Sequence, residues 1–239
     1  MSLGRVGDVL RYPVKSLAGE HLEHVLVEER GVAGDRLWSV RDPDGRLGSG
    51  KSSRRFRKMP GLLDLEARYD GDVPVIGFPD GRVLRGDDPT VHDALSEHVG
   101  RPVTLAREQD VSHFDEGPVH LVTTASLDRV GGAHGHPVDA RHLRPNLVVE
   151  TAGAAGFVEE TWIGRRVRIG PDVVLSVRSA MPRCVMVTMS QVGLPADRGL
   201  LGTVTEVNDA CLGVVADVVA PGQVAVGDEV VLVDGPVDG

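Results

Sequence analysis

Aromatic side chains make up only 3% of the chain, and Cys184 and Cys211 are the only two cysteines in 239 residues. Two thiols in separate parts of the sequence, with no CxxC spacing, exclude a disulfide framework or a zinc knuckle built from cysteine alone, and fit a reducing, cytoplasmic setting. No stretch approaches the roughly 18 apolar residues of a membrane-spanning helix, and the N-terminus, Met1 to Asp8, has no apolar signal core. Basic residues are outnumbered: 26 Lys and Arg against 35 Asp and Glu give a formal charge of -9. That balance argues against nucleic acid as the main partner, because counterion release needs a clustered basic footprint. Local basic patches therefore read as sites for small anions. HExxH and GxSxG are also missing, which removes the support for zinc hydrolysis or serine esterase chemistry.

What is present is 30 glycines and 15 prolines set among valine and leucine. This is the composition of a mainly β protein with many turns, expected here as β-barrel architecture with a few short helices. Alternation and β-branching predict strands at Val6–Tyr12, Leu22–Glu28, Leu37–Val40, Val73–Phe78 and Val103–Ala106, with a helix from Pro89 to Val99. The pattern restarts near residue 118. Strands are expected at Val119–Val122, Leu147–Val149, Arg166–Ile169, Val173–Val177, Val185–Met189 and Gly213–Val219, with a last one before Leu232 and a helix over Thr124–Val130. The polar turn from His113 to Pro118 separates two β-rich units, 1–112 and 113–239.

Gly45 to Ser52 satisfies the phosphate-loop pattern GxxxxGK[ST], yet neither the preceding strand nor the following helix that this chemistry requires is there. Arg41-Asp42-Pro43-Asp44-Gly45 reads as a hairpin turn instead. The segment Lys51–Lys58 still carries five cations beside two serines, and its candidate anion contacts are Lys51, Ser52 and Arg54, against a solvated basic loop as the alternative. Tyr12-Pro13-Val14-Lys15-Ser16 puts Lys15 and Ser16 just after a strand, where proline frees backbone donors. Asp35 and Arg36 sit in a glycine-flexed turn. Arg144-Pro145-Asn146 precedes an apolar strand, so the Arg144 fork and the Asn146 amide can face one cleft. His134-Gly135-His136, the only close histidine pair, lies in a glycine-rich stretch that reads as a mobile surface loop. Cys184 neighbours Arg183, and a cation beside a thiol favours the thiolate needed for metal ligation. Cys211 has no such neighbour and reads as core.

Taken in order, Tyr12–Leu17, Gly31–Trp38, Leu121–Leu127, Leu143–Val148, Trp162-Ile163-Gly164 with Ile169-Gly170, and Arg183-Cys184 resemble the MOSC superfamily. The resemblance is to its two-part members, which carry an N-terminal β-barrel domain and are similar to the amidoxime reducing components. It implies a pyranopterin molybdenum cofactor in a cleft between the two domains, with Cys184 as molybdenum ligand and catalytic residue. It also places Lys15, Ser16, Arg36, Thr123, Thr124, Ser126, Arg144 and Asn146 against the pterin or its phosphate, with Arg183 beside the ligand. Where reductase relatives commonly follow the cysteine with Thr-x-Asp-Pro, this chain has Val187-Thr188-Met189-Ser190. The implied activity is reduction of a small N-hydroxylated or N-oxide substrate. Electrons would come from a separate reductase, since no iron–sulfur cluster belongs to this sequence, and pyridoxal phosphate is not expected. The alternative is a cofactor carrier or sulfur-relay protein that uses a Cys184 persulfide.

Overall fold

The computed structural model describes residues 2–233. Seven strands close into a barrel: β1 (Ser2–Arg11), β2 (Val119–Thr123), β3 (Leu147–Glu150), β4 (Arg166–Ile169), β5 (Val173–Pro182), β6 (Cys211–Ala220) and β7 (Glu229–Val233). They run around the ring in the order β3-β2-β6-β5-β4-β7-β1, and β1 pairs back onto β3. Closure removes the sheet's exposed edges. Alternate residues point inward, which is why Val119 and Leu121, Leu147 and Val149, Val167 and Ile169, and Val173, Leu175 and Val177 share one core.

Among the described strands of the barrel, β2 and β3 are the one parallel pair, and parallel neighbours need a crossover. Helix α2 (Thr124–His134) lies on that connection. It packs with α3 (Leu200–Asn208) on the barrel's outer face, where Val130, Leu200 and Val204 cover Leu10, Val122 and Val148. Both faces of β2 are therefore buried, with the polar His120 and Thr123 enclosed among Val119, Leu121 and Val122.

The N-terminal lobe has its own core. A four-stranded sheet (Trp38–Arg41, Leu47–Ser49, Phe56–Lys58, Thr104–Arg107) and a three-stranded one (Glu66–Asp70, Val73–Gly77, Val83–Arg85) enclose Leu17, Val40, Met59, Leu62 and Ile76. Helix α1 (Val91–Val99) adds Val91, Ala94 and Leu95 to that core. The chain's first strand belongs to the C-terminal barrel, since β1 pairs with β3 and β7, and His24–Glu28 pairs with Gly222–Ala225. Strands from before residue 30 thus cross the expected boundary to join the C-terminal unit.

Three local expectations change. Val185–Thr188 is a 3-10 turn, not a strand; β5 has already run on to Pro182, five residues beyond the expected end at Val177, and Pro182 closes its pairing with Cys211. Helix α2 continues through Gly131 and Gly132 to His134, so the histidine pair straddles a helix end instead of a free loop. The expected single strand at Leu22–Glu28 is two, Glu20–Leu22 and His24–Glu28, that pair with different partners. The apparent phosphate loop is the hairpin expected: Gly45 has φ 78° and its N–H donates to Asp42 O at 2.9 Å.

Candidate functional site

Where β1 ends, the chain turns through Tyr12–Leu17. Tyr12 N–H donates to Asp35 Oδ1 at 2.8 Å, and Arg36 N–H returns to Tyr12 O at 2.6 Å. Asp35 is fully buried and pairs with the Arg36 guanidinium. Burial is the largest influence on Arg36 and pulls it down, but Asp35 and Tyr12 outweigh it and hold its pKa above the ordinary value. The Arg36 fork reaches across to Arg144 O at 3.1 Å, and both guanidinium groups stack on the Tyr12 ring, at 4.8 and 4.2 Å. One tyrosine therefore holds the YPVKS corner, the GDR turn and the RPN loop together.

Between the lobes lies a cavity of about 130 Å³ lined by Lys15, Ser16, Arg36, Lys51, Arg144, Arg183 and Cys184, with Asp115, His142 and Met186 among the other walls. Of the residues anticipated from sequence, these seven are brought together. Larger, more open grooves of about 450 and 590 Å³ lie beside α2 and beside Trp38. The smaller cavity is the chemically distinctive one, because it gathers five cations and a thiol.

Lys15 is 2% exposed. Its ammonium donates to His113 O at 2.9 Å and to Asp115 at 2.8 Å. Burial pulls its pKa down to about 8, with Asp115 pulling the other way. Arg183 is locked by donation to Leu212 O at 2.8 Å, Leu143 O at 2.9 Å and His120 Nε2. A guanidinium has only hydrogens to give, so His120 Nε2 accepts and Nδ1 carries the hydrogen toward Arg144 O, 3.3 Å away. Burial and Arg183 hold the His120 pKa well below its ordinary value, and the ring is neutral. Burial likewise draws Arg183 to about 9 and Arg144 to about 10, so both stay charged at neutral pH.

Two observations single this cavity out as the candidate binding site. Ser16, Arg36 and Arg144 have φ of 67°, 51° and 55°; left-handed backbone costs about 1–3 kcal/mol at a non-glycine residue, and such strain clusters where function demands it. All three line the cavity. In addition, Arg144 Nη2 is a buried donor with no hydrogen-bond partner among the described residues. A buried donor left unpaired is costly, so an acceptor group in this cavity would relieve Arg144 Nη2. A phosphate-bearing pterin with a thiol-ligated metal fits that donor set: fixed cations for the phosphate and Cys184 for a soft metal centre.

The remaining candidates lie elsewhere. Thr123 caps α2, and together with Ser126 it donates to buried Glu159, each at 2.6 Å; burial pushes the Glu159 pKa up. Thr124 contacts Thr151 at 3.4 Å and lines the groove beside α2. Asn146 ties strands together, accepting from His120 N–H at 3.1 Å and donating to Leu10 O at 3.4 Å. Ser52 accepts from Lys58 N–H at 3.3 Å, and neither Ser52 nor Arg54 lines the cavity. Two more of that basic run are committed to structure, Arg55 on Ser112 O and Arg57 on Asp42 and Asp44, while Lys58 lines a neighbouring cavity. Sequence reasoning passed over Asp115 and His142. Asp115 sits in the turn read only as a boundary, and His142 lies two residues before Arg144.

The MOSC domain family matches residues 98–231, and the MOSC N-terminal beta barrel domain matches residues 3–114. The chain belongs to the MOSC family. Among curated MOSC-type relatives it is 24% identical to molybdenum cofactor sulfurase of Oryza sativa subsp. japonica, across 77% of this chain but 28% of that protein. It is 23% identical to mitochondrial amidoxime reducing component 2 of Rattus norvegicus, across 78% of this chain and 67% of that one. The chain thus spans little more than a quarter of the sulfurase. Among solved structures, the YuaD protein from Bacillus subtilis superimposes with a TM-score of 0.50 at 12% identity, covering 95% of this chain and 93% of that one, a likeness of fold. Among the described residues no helix is long and apolar enough to cross a membrane.

Proposed function

We propose that this MOSC protein binds a pyranopterin molybdenum cofactor in the cavity between its lobes and reduces small N-hydroxylated or N-oxide compounds there. The observation that carries the reading is the convergence of Lys15, Arg36, Arg144, Arg183 and Cys184 on one strained, donor-rich cavity. The relationship to an amidoxime reducing component supports the substrate class.

In this reading the bound cofactor supplies a two-electron centre able to take an oxygen atom, and Cys184 ligates its metal. Arg144 would offer its unpartnered Nη2 to the cofactor phosphate or pterin edge. Arg36 and Lys51 would add positive charge from the N-terminal lobe. Lys15, with a pKa near 8, is a group that can hold or release a proton close to the cavity at neutral pH. The net reaction for an N-hydroxyl substrate consumes two electrons and two protons, leaves the N–H compound and releases water. Those electrons would come from a separate flavin or iron–sulfur reductase. An adjoining apolar cavity of about 270 Å³, lined by Met59, Leu62, Leu63 and Met189, shares Ser16 with the first and would seat the substrate's carbon frame.

The relationship to a molybdenum cofactor sulfurase supports a second reading, cofactor handover or sulfur relay through a Cys184 persulfide. One experiment separates the two. With a viologen dye as electron donor, the loaded protein should oxidise the dye when given an N-hydroxylated amidine and release the amidine. Dye oxidation that does not depend on substrate would count against the reductase reading, and sulfane sulfur on Cys184 would favour the relay.

A further inference from the structure

We propose that His134, His136 and Asp197, none of which lines the interlobe cavity, form a divalent-cation site of the zinc type that clamps α2 to α3. His134 Nε2 lies 3.0 and 2.9 Å from the two Asp197 oxygens, and His136 Nε2 lies 3.7 Å from Oδ2. The three ligand atoms all fall within 4.8 Å of one another. Zinc–ligand bonds of about 2.0–2.1 Å in a tetrahedron put ligand atoms roughly 3.3 Å apart, so small side-chain movements close the set on one ion.

The local sequence builds this geometry. His134 is the last residue of α2, and Gly135 takes a left-handed C-cap at φ 88°. The reversal brings the next imidazole back beside the first, with ring centroids 4.3 Å apart. Asp197 is fixed from the opposite side, because Oδ1 caps α3 by accepting from Gly199 and Leu200 N–H at 3.2 and 3.1 Å. Its Oδ2 is left facing both histidines. Gly199 keeps the approach open: a Cβ there would come within 3.0 Å of His134 Cε1.

The surroundings match what a ligating imidazole requires. His134 Nδ1 is 2.7 Å from Thr203 Oγ1, which in turn lies 3.4 Å from Gly199 O. Thr203 can accept the Nδ1 hydrogen and pass its own to that carbonyl, and this tautomer frees Nε2 for a metal. His134 and Asp197 are largely buried, while His136 is 59% exposed. Three protein ligands with one side open to solvent leave a fourth position for water or an exogenous ligand. The donor set, two imidazoles and a carboxylate, suits Zn²⁺, Co²⁺ or Ni²⁺ over Mg²⁺ or Ca²⁺.

The test is titration of the full chain, tag-free and stripped with chelator, with zinc chloride in a calorimeter. Wild type, Cys184→Ala and His136→Ala are compared, because Cys184 is the competing thiol and His136 is exposed enough to replace without disturbing the fold. Cys184→Ala should still bind one equivalent, and His136→Ala should bind that equivalent at least tenfold more weakly. Cobalt bound to Cys184→Ala should show visible bands of a low-coordinate nitrogen–oxygen site. At a hundredfold excess over Kd, zinc should raise the Tm of Cys184→Ala by roughly 5–10 °C. No saturable binding to Cys184→Ala, or equal affinity with and without His136, would overturn the proposal.

Discussion

Asp35→Ala tests how the site is held together. Asp35 is fully buried; Oδ1 accepts the Tyr12 N–H at 2.8 Å, and Oδ2 pairs with Arg36, whose side chain is 13% exposed. Truncation leaves a nearly buried guanidinium without its counter-charge. Removing one partner of a buried pair costs about 3–5 kcal/mol. The stranded Tyr12 N–H adds to this, although the two losses share one side chain and are not additive. A chain of this size loses roughly 2–4 °C of Tm per kcal/mol, so Asp35→Ala should melt roughly 6–20 °C lower. The assay is thermal and urea unfolding followed by circular dichroism. Because the unpaired Arg36 charge is the stated cause, Arg36→Met in the Asp35→Ala background should recover part of the loss. A loss under about 1 kcal/mol for Asp35→Ala, or no recovery in the double variant, would refute the reasoning.

Three further outcomes follow from the same geometry. Lys15 has a folded pKa of about 8 against 10.5 when exposed. Between those values the unfolded chain holds the extra proton, so stability from this group rises with pH across about 8 to 10.5; the stability difference between wild type and Lys15→Met should climb over that window, and a flat difference would contradict the assignment. Gly213 has φ 79°, and a Cβ there would lie 2.5 Å from Leu121 O and 2.7 Å from His120 Nε2. Gly213→Ala should therefore destabilise by at least about 2 kcal/mol in urea unfolding, and a neutral result would show that β6 can shift freely. Arg144→Ala should weaken cofactor retention by about 1.5–3 kcal/mol, read as faster molybdenum loss on dialysis, whereas equal retention would remove Arg144 from the site.

The barrel was legible where burial is one-sided or continuous. Val119–Val122, Leu147–Val149 and Val173–Val177 carry period-two or unbroken apolar patterns that only a strand core explains. The 3-10 turn after Cys184 was not legible, because Val185-Met186-Val187-Thr188 has strand composition and is decided by the proline-ended β5 before it. The basic motifs pointed to one cavity, but spacing cannot say which way a side chain turns. Thr123 and Ser126 face Glu159, 33 or more residues away in sequence, and Asn146 spends its amide on Leu10 and the His120 backbone. Tyr12 was quoted only as part of a corner; its role as the shared platform for Arg36 and Arg144 depends on a contact spanning 132 residues.

The most direct test of the central claim is elemental analysis of the chain expressed in a host that makes molybdenum cofactor, alongside Cys184→Ala. Near-stoichiometric molybdenum in the wild type, lost in a variant whose circular dichroism matches that of the wild type, is the predicted result. Molybdenum absent from the wild type, or retained equally by Cys184→Ala, would contradict the account.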